Sequence, residues 1–118
     1  MCSEGGLALH TRDLRTYTGR TANFPAVFPS FGLPAEDPLV RRGQRVLEQT
    51  LSRDVDLIIW RFATDGGHLM EAGVPTIGFG PAEAGELHTV GESVSLPMLE
   101  EGLLGYAALA LELGAEDP

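Results

Sequence analysis

Apolar positions recur in two regimes along this chain. From Leu39 onward Leu39, Val40, Gly43, Val46, Leu47, Thr50 and Leu51 return at helical spacing, with Arg41, Arg42, Arg45 and Glu48 between them, which predicts a helix with one packed and one wet face. Asp37-Pro38 marks its start, a capping carboxylate followed by a proline whose missing N–H costs nothing in the first turn. Val55 to Phe62 is different. Leu57, Ile58, Ile59 and Trp60 are contiguous, β-branched or aromatic and too few for a helix, so the segment is expected to be a buried strand. Asp65 is placed to cap a short helix that Gly73 ends, and Val74 to Phe79 is expected as a second strand. A last helix is predicted from Pro97 to about Leu113, with Leu99, Leu103, Tyr106, Ala107, Ala110 and Leu111 on its packed face.

The first 37 residues lack a sustained period. Leu7, Leu9 and Thr11 alternate with polar neighbours as a short strand would, and the stretch from Tyr17 to Pro34 mixes Phe24, Phe28 and Phe31 with Pro25, Pro29 and Pro34. Prolines interrupt a ladder while aromatics demand burial, so this stretch is expected to be an irregular crossing segment. The strand–helix–strand order of the remainder predicts an α/β fold, a layered sheet with flanking helices.

Charge narrows the partners. Seventeen acidic residues face eight arginines and no lysine, a net charge of −9 that repels a phosphate backbone, so nucleic acid is not an expected partner. Cys2 is the only cysteine and has no partner for an internal disulfide, which fits a reducing cytoplasm. No apolar run approaches the roughly 20 residues that span a bilayer.

Chemistry is most densely encoded after the second expected strand, in Gly78-Phe79-Gly80-Pro81-Ala82 and on to His88-Thr89-Val90-Gly91-Glu92. In α/β sheets ligands gather beyond the carboxyl ends of strands, where small residues let backbone N–H groups approach. The glycines are equally explained by tight turns. His88 lies in a polar loop, where a neutral imidazole can offer a nitrogen to a metal. His68 and His10 read as solvated or capping histidines. No His-x-Asp or His-Glu-x-x-His pattern begins at any of the three. Glu100-Glu101 are adjacent on a helix, so they diverge by about 100°, and a place in its first turn near the positive end of the dipole explains them. Ser93 and Ser95 have no G-x-S-x-G elbow around them. Asp65 reads either as a cap or as a binding carboxylate.

Taken together, Trp60-Arg61-Phe62-Ala63-Thr64-Asp65-Gly66-Gly67, Ala72-Gly73-Val74-Pro75-Thr76-Ile77-Gly78-Phe79-Gly80-Pro81 and His88-Thr89 with Glu92 resemble the closing segment of the dizinc aminoacylase, acetylornithine deacetylase, succinyl-diaminopimelate desuccinylase and glutamate carboxypeptidase family. Tyr17-Thr18-Gly19 and Asp37-Pro38-Leu39-Val40 extend the resemblance over roughly residues 14 to 113. It implies that residues 37–118 are the C-terminal part of a zinc-peptidase-like catalytic domain, and that residues 1–36 are the end of a strand returning from a lid domain plus the crossing segment. It implies two zinc ions in the intact enzyme, with His88 a ligand to one, Asp65, Gly80 and Pro81 lining the substrate pocket, and Glu92 supporting the site. The substrate would be an N-acyl amino acid or small peptide. Ala82 and Gly91 depart from the family's usual glycine and asparagine. The family's remaining ligands and its general base have no counterpart here, so no catalytic residue is expected on this chain and it is expected to be inactive alone. Its runner-up role is a binding module that needs a separately encoded N-terminal half.

Overall fold

The computed structural model describes residues 8–83 and 85–114. Cys2, and Leu7 of the expected first strand, lie outside the described residues. The elements run as β1 (Thr11–Arg15), β2 (Thr21–Pro25), α1 (Pro38–Leu51), α2 (Gly66–Glu71) and α3 (Leu96–Leu113). The fold is small and mixed α/β.

The sheet is a two-stranded antiparallel hairpin pairing Thr11 with Pro25 and Arg15 with Thr21, and it corrects both expectations for this region. Among the described residues the first strand starts at Thr11 and leaves out Leu9, and part of the supposed irregular segment is β2. The cause lies in the turn. Gly19 takes φ +83 and donates its N–H to the Thr16 carbonyl, while the Thr16 N–H closes on Arg20. This is a type I turn ending in a left-handed glycine, a geometry whose twist suits a hairpin. Every residue of both strands is exposed. Turn chemistry and ladder bonds, rather than a buried face, define this hairpin.

In α1 the expected cap is present: the Asp37 carboxylate accepts from the Leu39 N–H at 2.8 Å. Gly43 and Leu47 are the positions it buries, and α1 packs against α3. Leu47 and Leu109 form the apolar centre of this contact. Arg42, expected in water, instead reaches the end of α3, donating to the Glu112 carbonyl at 2.6 Å.

The face of α3 also differs from the expected one. It buries Gly102, Gly105 and Leu109, while Leu103 and Leu111 are 71% and 79% exposed. The helix is apolar nearly all round, so its period selects no face. Backbone access decides instead: a Cβ at Gly105 would lie 2.5 Å from the Phe79 ring and 2.9 Å from Leu47, and one at Gly102 would lie 2.7 Å from Pro81.

The largest correction concerns Val55–Phe62 and Val74–Phe79, neither of which joins a sheet among the described residues. The period-2 side-chain geometry of an extended chain survives, since Trp60 and Phe62 stack at 5.1 Å. A strand exists only through a ladder partner, however, and these segments find none. Side chains of α1 substitute at one end: Gln44 donates to the Val55 carbonyl at 2.8 Å and Glu48 accepts from the Val55 N–H at 3.4 Å. Ile58 and Ile59, on opposite faces, are 69% and 92% exposed. The described residues therefore form no layered sheet.

Candidate functional site

Between the two extended segments α2 turns the chain. Its Gly73 takes φ +81, the Val74 N–H returns to the Leu69 carbonyl, and the Gly73 N–H returns to Met70, which is a Schellman motif. At the other end the Asp65 carboxylate makes no capping hydrogen bond. The Gly66 N–H is taken by the Thr64 hydroxyl at 3.2 Å instead. The capping expectation for Asp65 is thus corrected, and its side chain is left to the open cleft beside it. That cleft, about 750 Å³, is lined by Asp65 and Thr64 together with apolar and aromatic groups from Phe31, Trp60, Phe79 and Tyr106.

Gly80 and Pro81 are not among the residues lining that cleft. They are clamped to α3: the Tyr106 hydroxyl donates to the Phe79 carbonyl at 2.7 Å, a Cβ on Gly80 would meet that hydroxyl at 3.1 Å, and Pro81 packs on Gly102. The glycines of this loop allow close approach to a helix.

His88 lies in the succeeding loop with φ +61, in the left-handed region that a non-glycine residue seldom occupies. Its N–H donates to the Glu92 carboxylate at 3.0 Å. Its ring meets Phe62 edge to face, with centroids 5.1 Å apart and planes at 73°. Among the described residues neither ring nitrogen has a hydrogen-bond partner. The same loop is held by Ser93, which donates to the Glu86 carboxylate at 2.6 Å. Ser95 caps α3 through Met98. His68 is exposed and lies 3.9 Å from the Glu71 carboxylate in its own helix. His10 is exposed beside the hairpin.

Glu100 and Glu101 fall beyond the first turn of α3, which begins at Leu96, so the dipole does not account for them. Glu101 instead accepts from Arg53 at 2.7 Å. That hydrogen bond, and then the carboxylate's charge, raise the Arg53 guanidinium above its ordinary value. Arg53 had no signal in the pattern, because its partner is 48 residues away.

Two curated relatives are deformylases. The chain is 30% identical over 73 residues, or 62% of its length, to the N-formyl-4-amino-5-aminomethyl-2-methylpyrimidine deformylase of Halalkalibacterium halodurans. It is 35% identical over 78 residues, or 66% of its length, to the deformylase of the same name from Bacillus subtilis. The chain spans 17% of the length of each. No family model matches, and no solved structure matches. By their names these relatives hydrolyse a formamide, a C–N amide bond, so the similarity is to amide hydrolases and is partial.

A zinc site needs about four ligands, or three with a water. No group of three histidine, cysteine, aspartate or glutamate side chains able to hold a metal converges among the described residues. These residues do not by themselves fit a zinc site. No helix among them is long and apolar enough to cross a membrane.

Proposed function

We propose that this chain is the C-terminal portion of a zinc-dependent amide hydrolase acting on N-acyl or N-formyl compounds, and that His88 is its one contribution to the metal centre. The observation that carries the reading is the similarity to two enzymes that remove a formyl group from an aminomethylpyrimidine. In such a reaction water adds to the formyl carbon, the C–N bond breaks, and the amine leaves with a proton. His88 supports the reading by its free imidazole on a strained backbone, since such strain persists where surrounding contacts over-determine it and is concentrated at functional sites. Asp65, with no capping bond, is the carboxylate offered to substrate in the cleft; Gly80 and Pro81 shape the loop that leads to His88. The remaining ligands and the base come from outside the described residues. The partner would be either the rest of a longer polypeptide or a separately encoded half.

The test is zinc titration of the chain followed through its three histidines, with formate release from N-formyl substrates measured in parallel. His88 is expected to respond at the lowest zinc concentration, His88→Asn to abolish that response, and His68→Asn and His10→Asn to leave it unchanged, with no formate released. Asparagine tolerates the left-handed backbone, so this variant removes the imidazole without disturbing the turn. Equal responses from all three histidines, or zinc-dependent turnover by the chain alone, would overturn the reading.

A non-catalytic module is the second reading, and the unladdered segments favour it: Ile58, Ile59 and Val74 are exposed where a sheet would bury them. Binding of a strand-bearing partner without any effect of zinc on affinity distinguishes it from the first.

A further inference from the structure

We infer that Phe62 is a positioning residue for the His88 imidazole, backed by Trp60 and Gly78 in a single aromatic row. This rests on the proposed role of His88 but concerns the orientation of its ring rather than what the ring binds.

His88 is exposed, and an exposed histidine on a loop ordinarily samples several rotamers. Two contacts restrain this one. Glu92 fixes its backbone through the N–H and leaves the side chain alone. The ring itself is touched by Phe62, edge to face at 5.1 Å, the arrangement that aromatic quadrupoles favour. With no hydrogen bond on either ring nitrogen among the described residues, the Phe62 contact is what selects the orientation.

Phe62 can do this because it is itself held. It stacks on Trp60 at 5.1 Å and 19°, as residues two apart on an extended chain can. The benzo part of the Trp60 ring also lies against Gly78, where a Cβ would come within 2.7 Å of the indole. The glycine is therefore required for Trp60 to occupy this place. Contacts run from Gly78 to Trp60, from Trp60 to Phe62 and from Phe62 to His88, linking the two extended segments to the loop after them. Because Phe62 offers only carbon, it orients the imidazole without occupying a nitrogen, leaving both free for a ligand. A carboxylate or carbonyl in its place would take one of them.

Nuclear magnetic resonance on the full chain tests this. In the unaltered protein the ring protons of His88 should show contacts to the Phe62 ring and shifts displaced by ring currents, unlike those of His10 and His68. Phe62→Leu should return the His88 protons to the positions of the other two and average its side-chain rotamers, with amide signals of α1 and α3 unmoved. Phe62→Tyr should restore the displaced shifts. Zinc chloride should bind His88 roughly two- to tenfold more weakly in Phe62→Leu, the range expected from losing one edge-to-face pair. Absence of ring–ring contacts in the unaltered chain overturns the inference even if the variants fail to fold. Unchanged His88 shifts in Phe62→Leu overturn it as well. If Phe62→Leu releases the ring but zinc never prefers His88 over His68, the positioning stands and the metal reading falls.

Discussion

At the scale of single residues, the glycines of α3 are its most sensitive positions. A methyl at Gly105 would lie 2.5 Å from the Phe79 ring and 2.9 Å from a Leu47 methyl, whereas one at Gly85 meets nothing within 4 Å. Gly105→Ala should therefore destabilise the chain by about 1–3 kcal/mol, the usual range for overpacking. Gly85→Ala should change little. Urea unfolding followed by helical circular dichroism checks both, and equal effects would mean that α1 and α3 are not in contact as described. The pattern of letters placed Gly43 on the packed face of α1 but gave no sign of Gly102 and Gly105, because a glycine that admits a neighbour and a glycine that ends an element are written alike. His88 was visible as a histidine in a polar loop, yet its left-handed backbone and its contact with Phe62, 26 positions earlier, have no signal along the chain.

At the scale of elements, caps can be told apart by their bonds. Asp37 and Asp65 both precede helices and both read as N-caps, but the first accepts a hydrogen bond at 2.8 Å and the second accepts none. Asp37→Ala should cost about 1 kcal/mol of stability. Asp65→Ala should be nearly silent in the same measurement, with Thr64→Ala carrying the loss at α2. Reversed outcomes would show that the Thr64 hydroxyl does not cap this helix. The helices were legible because a cap, a 3.6-residue period and a terminal glycine are local signals. The strands were not. Val55–Phe62 and Val74–Phe79 have strand composition, but pairing belongs to two segments at once and composition names only one of them. In β1 and β2 the converse holds, for a well-formed turn brings together two stretches with no buried face.

At the scale of the whole molecule, the surface is too large for the mass. The accessible area is 9867 Å², against roughly 6,200 Å² for a folded monomer of this size. The radius of gyration is 19.0 Å, against about 13.5 Å for a compact domain of this length. Much of what α3 and the extended segments expose is apolar, so the chain has surface to bury against another polypeptide. Its net charge of −9 opposes burial against a second copy. Salt screens that repulsion beyond a Debye length of about 8 Å at physiological strength. Self-association should accordingly rise with ionic strength, measured by sedimentation or small-angle scattering. A compact monomer at all salt concentrations would contradict the exposed apolar surface.

The two glycines inside α3 also bear on the order of assembly. Each costs an isolated helix about 1 kcal/mol relative to alanine, and the cap at Ser95 recovers only part of that through a bond of 3.4 Å. A peptide spanning residues 95–113 should therefore be mostly coil in water. Helicity should appear when Phe79 and Pro81 are present to fill the notches at Gly105 and Gly102. The loop that leads to His88 and the helix beneath it then form together, as one cooperative step in folding.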